Sequence, residues 1–182
     1  MMRIFSRKEK QEITMKTSQQ LHNTTTDHNH EAEHKKFAQY CVFQAGNEEY
    51  AIPIELVQEV VKFSRPAFIP QMPNHILGMS NVRGDVYGIM DLELFFRMST
   101  SPAKHNYFLV LDHDQYKVAI GIENVPDSLI VDEDMLEELK SSTIITMASQ
   151  QYLKGVIKKD KRMIIALDVL GIISSKNFTR QV

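Results

Sequence analysis

At 182 residues and 43% hydrophobic content, the chain can bury one substantial core but is too short for two ordinary domains plus a tail. Its 21 basic and 23 acidic residues give a net charge of −2, which offers no positive field to hold a phosphate backbone, so nucleic acid is not an expected partner. The single cysteine, Cys41, excludes an internal disulfide and a CxxC site and fits a reducing, cytoplasmic setting, and no run approaches the roughly 20 apolar residues that membrane insertion needs.

Residues 1–36 mix charges with polar residues, among them Thr24, Thr25 and Thr26, and offer little to pack; they predict a disordered polar tail. The basic Arg3, Arg7, Lys8 and Lys10 are followed by polar residues rather than an apolar run, so no signal peptide is expected. His22, His28, His30 and His34 also lie there, and although His30 and His34 have a metal-compatible spacing, they read as solvated imidazoles; no metal and no cofactor are expected.

From Phe37 the texture changes to short apolar runs broken by turns, the pattern of many small strands. Phe37 to Phe43 and Glu49 to Pro53 predict a hairpin around Gly46-Asn47, and Ile54 to Val61 fits a helical turn running into a strand. An internal repeat organises the rest. Ala51-Ile52-Pro53-Ile54-Glu55-Leu56-Val57 recurs as Ala119-Ile120-Gly121-Ile122-Glu123-Asn124-Val125 with five of seven positions identical, and Gly78 precedes Asp91 by the same thirteen residues that separate Gly155 from Asp168. Two related halves are implied, with a boundary near 100–106. In each half an apolar strand meets an aspartate followed by apolar residues, so Asp91 and Asp168 are expected to cap short helices at Leu92 to Phe96 and Val169 to Ile173, worth about 1 kcal/mol each. No histidine recurs beside either aspartate, which disfavours a proton-transfer pair. Asp132 to Glu138, with five acids and two apolar residues, reads as a short helix with a solvated face. Strands this short bury their faces best by curling, so the expected fold is mainly β: two small five-stranded β-barrels packed side by side with a few short helices.

The stretch Gly78-Met79-Ser80-Asn81-Val82-Arg83-Gly84-Asp85-Val86-Tyr87-Gly88-Ile89-Met90-Asp91-Leu92 resembles the signature of CheW-like domains: a glycine, an Asn-x-Arg-Gly turn, an apolar strand and Asp-Leu. Tyr50 to Ile54, the Val57-Gln58-Glu59-Val60 segment, Ile69-Pro70 and Pro73 upstream are similar to that family in the same order, as are Val118 to Val125 and Tyr152 to Val156 downstream. The resemblance covers residues 37–174, leaves 175–182 as a C-terminal tail, and implies SH3-like barrels. It also implies a non-enzymatic adaptor between two partners, the helical hairpin tip of a methyl-accepting chemotaxis receptor and the regulatory domain of a CheA-type histidine kinase, located in the cytoplasm at receptor arrays on the inner membrane. The receptor-binding residues it implies are Val57, Glu59, Gly78, Asn81, Arg83, Gly84 and Ile122, with the tip seated in a groove between the barrels; the kinase-binding face is not read from it. Taken alone, Arg83 reads as a solvated turn residue that could also reach Glu59, and Gly84 suits a turn with positive φ. The second half departs from the signature, with Lys158-Lys159-Asp160-Lys161-Arg162 in place of Asn-x-Arg-Gly.

Two further adaptors fit the same residues, one serving a type IV pilus or twitching system and one that binds a receptor without the kinase. An enzyme is disfavoured, because the chain lacks GxSxG, GxxxxGK[ST] and HExxH, and His75, His105 and His113 have no acidic partner at motif spacing.

Overall fold

The computed structural model describes residues 36–137 and 150–175, all within one compact unit. The tail expected over 1–36 and the end of the chain beyond 175 lie outside the described residues, apart from Lys36. In chain order the strands are β1 (Phe37–Ala45), β2 (Glu48–Pro53), β3 (Val57–Lys62), β4 (Ile76–Val82) and β5 (Asp85–Met90), then, after helix α1 (Leu92–Phe95), β6 (Tyr107–Leu111), β7 (Val118–Ile122) and β8 (Asp127–Asp132). The two-residue β9 (Leu136–Glu137), β10 (Leu153–Lys159), β11 (Arg162–Leu167) and helix α2 (Val169–Ile173) complete the described elements. A 3-10 turn at Ile54–Leu56 leads into β3, the helical turn before a strand that the sequence predicts.

Strands join as β8-β1-β2-β11-β10-β9 in one sheet and β3-β6-β7-β5-β4 in the other. The halves are therefore interlaced. The first sheet takes β1 and β2 from the first repeat but β8, β9, β10 and β11 from the second, and the second sheet takes the complement. Parallel pairings seal the exchange: β2 against β11 through Ala51 and Ala166, and β7 against β5 through Ala119 and Ile89. The repeat found in the sequence is real, but neither half forms a barrel by itself.

Each sheet curls shut where its third strand bends. After β3 the chain returns to β4, with Ala67 and Met79 exchanging both backbone hydrogen bonds at 2.7 and 2.9 Å. After β8 it passes through a 3-10 turn at Glu133–Met135 into β9, which pairs with β10 through Leu136 and Glu137. Counting β8 and β9 as one bent strand, both barrels have five strands, as expected. Of the short helix expected over Asp132 to Glu138, one 3-10 turn forms at Glu133–Met135, and Leu136 and Glu137 are strand because barrel closure requires them; Glu138 lies outside the described residues.

Side-chain alternation places three cores. Val42, Ala51, Leu129, Ile157, Ile164 and Ala166 fill one barrel, and Val82, Tyr87, Ile89, Phe108, Val110 and Ala119 fill the other. The intervening positions, such as Cys41, Phe43, Ile52, Leu109, Ile120 and Ile165, point the opposite way and meet in a shared core between the barrels. Central strands buried on both faces must be apolar at every position, which is why β6, β7 and β11 are near-continuous apolar runs. Among the methionines, Met90 is fully buried, whereas Met98, Met135 and Met163 are exposed.

Candidate functional site: the seam of the β3 barrel

In the sheet order β3 and β4 stand at opposite ends, yet side chains bring them together. Arg83 Nε donates to Glu59 Oε2 at 2.7 Å, Tyr87 Oη donates to Gln58 Oε1 at 2.9 Å, and the hydroxyls of Ser64 and Ser80 are bonded at 2.8 Å. Local sequence builds the arginine's perch. The β4–β5 hairpin turns on two residues, Arg83 and Gly84, whose φ values of 52° and 98° place both in the left-handed region. Gly84 N–H donates to Asn81 Oδ1 at 3.1 Å, so Asn81 fastens the turn. The guanidinium stands out from the protein, 78% exposed, while the Glu59 carboxylate it grips is 17% exposed.

Of the residues singled out from the sequence, Glu59, Asn81, Arg83 and Gly84 come together on this surface. Val57 and Gly78 do not line an open groove, and Ile122, almost wholly buried, reaches only the wall of a separate cleft beside Asp91. Val57 and Ile122 are buried in the shared core, and Gly78 is buried with φ 136° where a Cβ would strike the Ala67 carbonyl. Gly78 is needed for the backbone crossing that closes the barrel, and Gly155 repeats that role against Glu137.

Both expected caps are present: Asp91 Oδ1 accepts from Leu94 N at 3.0 Å and Asp168 Oδ1 from Gly171 N at 3.2 Å. At Asp91 a histidine distant in sequence joins the cap, and among the described residues none does so at Asp168. His105 Nε2 donates to Asp91 Oδ2 at 3.0 Å, and Ala103 N donates to the same oxygen at 2.9 Å. Burial works against ionisation of Asp91, but the hydrogen bonds from His105, Leu94 and Ala103 outweigh it and hold the carboxyl below its ordinary value of 3.8. Nearby, burial lowers the His75 pKa against the pull of the Asp91 charge. Asp91 thus bolts α1 to the segment linking the halves, at the wall of a cleft of about 300 Å³ that also borders Gly46, Glu93, Lys104 and Glu123. Glu93 Oε1 accepts from Gly46 N at 2.8 Å, tying α1 to the β1–β2 turn. Among the described residues no group of three or more His, Cys, Asp or Glu could hold a metal ion, and no helix is long and apolar enough to cross a membrane.

The two barrels together with the Asn-x-Arg-Gly turn define a class of protein, and comparison with known proteins agrees. Residues 39–177 match the model of the CheW-like domain, and the chain belongs to that family. It is 30% identical over 139 residues to the chemotaxis protein CheW of Klebsiella aerogenes, a match covering 76% of this chain and 82% of the relative. The chemotaxis protein CheW of Helicobacter pylori is 27% identical over 143 residues, covering 78% and 84%. The crystal structure of the scaffolding protein TtCheW from Thermoanaerobacter tengcongensis shares the fold, with a TM-score of 0.68, 24% identity, and coverage of 86% of this chain and 98% of that one.

Proposed function

We propose that the chain is a non-catalytic adaptor that couples methyl-accepting chemoreceptors to a CheA-type histidine kinase on the cytoplasmic side of the membrane. The observation that carries this reading is the Glu59–Arg83 bridge, which fixes an exposed guanidinium at the seam between β3 and the signature turn. An ion pair this exposed contributes little to stability, so its value lies in what it presents to a partner. The helical hairpin tip of the receptor meets Glu59, Arg83 and the turn from Asn81 to Gly84. Val57, Gly78 and Ile122 act from beneath, by holding the strands that carry this surface. A different face docks the regulatory domain of the kinase, and many such contacts in an array let each remain weak while the assembly couples receptor state to kinase activity.

The test is co-sedimentation of the purified protein with receptor-containing membranes and the kinase of the same organism. The native chain is expected to assemble a ternary complex and activate the kinase, and Arg83→Ala to lose receptor attachment while remaining folded. Failure of the native chain to bind either partner would remove this function and leave the fold standing.

A further inference from the structure

We propose that Tyr87 is a positioning residue for the receptor-facing strand, acting through Gln58 to aim Glu59; this rests on the coupling role above. Strand β3 is bonded on one side only, to β6, and its register slips between Val57, opposite Leu111, and Glu59, opposite Val110. Gln58 is the extra residue of that bulge. A bulge re-aims the side chains that follow it, and its unpaired residue needs another anchor. Tyr87 supplies one. Its ring lies in the barrel interior, 1% exposed, beside Val82, Ile89 and Phe108, while its hydroxyl reaches the seam and donates to Gln58 Oε1 at 2.9 Å. On the outer side the ring is bracketed by Lys117 Nζ, 5.4 Å from its centroid and 3.4 Å from Asp85 Oδ2. With the bulge held, Glu59 stands against Arg83 at 2.7 Å.

The other barrel is an internal control. Counting back from the capping aspartates, Tyr87 corresponds to Ile164, which is fully buried, so packing at that position needs only an aliphatic side chain. By the sequence repeat Gln58 corresponds to Pro126, and Glu59 corresponds to Asp127, which stands opposite Val42 on β1 as Glu59 stands opposite Val110 on β6. The hydroxyl and its acceptor occur together in the barrel that carries Arg83.

Tyr87→Phe keeps the ring and removes the hydroxyl. Receptor affinity is expected to fall about threefold to tenfold, the range of one neutral hydrogen bond, with kinase binding unchanged. A purely structural role would weaken both partners. Tyr87 and Glu59 act through Gln58, so Tyr87→Phe and Glu59→Gln are expected to be non-additive in receptor binding. In the free protein, amide hydrogen exchange at Gln58, Glu59 and Val60 should rise by a similar factor in Tyr87→Phe and in Gln58→Ala. The surface change Gln58→Ala carries the test if Tyr87→Phe fails to fold. Unchanged exchange in β3, or unchanged receptor affinity in a native chain that does bind receptor, overturns the positioning role and leaves the coupling role intact. A native chain that binds no receptor ends the coupling reading, and the exchange measurement still decides whether Tyr87 positions β3.

Discussion

The barrel sealed by β3 and the barrel sealed by β8 are built to one plan. Each has a glycine where a second backbone crosses, a left-handed first residue in its two-residue hairpin loop, Arg83 at φ 52° and Asp160 at φ 56°, and an aspartate capping the helix that follows. Along the seam they part. Where one has Arg83 bound to Glu59 and Tyr87 bound to Gln58, the other has Asp160, Asp127, Ile164 and Pro126. Arg162 there bonds Glu49 at 2.9 and 2.6 Å and comes within only 4.0 Å of Asp127, and Lys159 Nζ donates to the Ile130 carbonyl at 3.1 Å. The closing glycines and the capping aspartates keep their chemistry across the repeat, while seam positions diverge. On the coupling role proposed above, the difference puts the receptor-facing surface on the barrel that carries Arg83.

The largest effect should come from breaking what the barrels share. Gly78→Ala adds a Cβ against the Ala67 carbonyl at φ 136°, and a loss of about 3 kcal/mol is expected in urea unfolding. Gly155 is crowded by Glu137 without a positive φ, so Gly155→Ala should cost less. Equal losses would show that crowding, not backbone strain, sets the cost.

Next in size is Asp91→Asn, which weakens the bolt to His105, Leu94 and Ala103 and should cost about 1–3 kcal/mol at neutral pH. The folded carboxyl has a depressed pKa, so its contribution is present above the ordinary value of 3.8 and is lost as pH falls through the lower folded value. Asp91→Asn should therefore flatten the acid limb of a stability profile below 3.8. His75 adds a separate slope. Its folded pKa lies below the ordinary 6.5, the unfolded chain binds the proton first, and stability falls as pH drops from 6.5 toward the folded value. His75→Phe should remove that slope, as read by urea midpoints at pH 7 and pH 5.

Gly84→Val tests the signature turn. A φ of 98° strains any β-branched residue by about 1–3 kcal/mol, but a Cβ there meets nothing within 4 Å, so the loss should be smaller than at Gly78. Smallest of all is Arg162→Ala, which removes a partly exposed pair with Glu49. Its cost should stay below about 1 kcal/mol, with no change in receptor binding.

Much of this fold was readable because its signals are local. The Gly46-Asn47 hairpin, the turn before β3, both aspartate caps and the repeat follow from short-range chemistry. The exchange of strands between halves was not readable, since alternation says which residues are buried but not in which barrel. His105 meets Asp91 only through the path of the linker, and Leu136 to Glu137 becomes strand only because the β8 barrel must close. At the seam, Arg83 taken alone reads as a solvated turn residue, with reach to Glu59 as the alternative; the structure has both, a guanidinium in solvent and a bond to Glu59. The Tyr87–Gln58 bond was missed, although a tyrosine in β5 where the second half has Ile164 was a signal that comparison of the halves could have caught.

The measurement that tests the central claim most directly places matched changes in the two hairpin turns, Arg83→Ala in one barrel and Asp160→Ala in the other. Binding to receptor-containing membranes is then compared for both with the native chain. The account predicts that Arg83→Ala releases the protein from the membranes while Asp160→Ala binds as the native chain does. Equal losses, or a loss confined to Asp160→Ala, would contradict it.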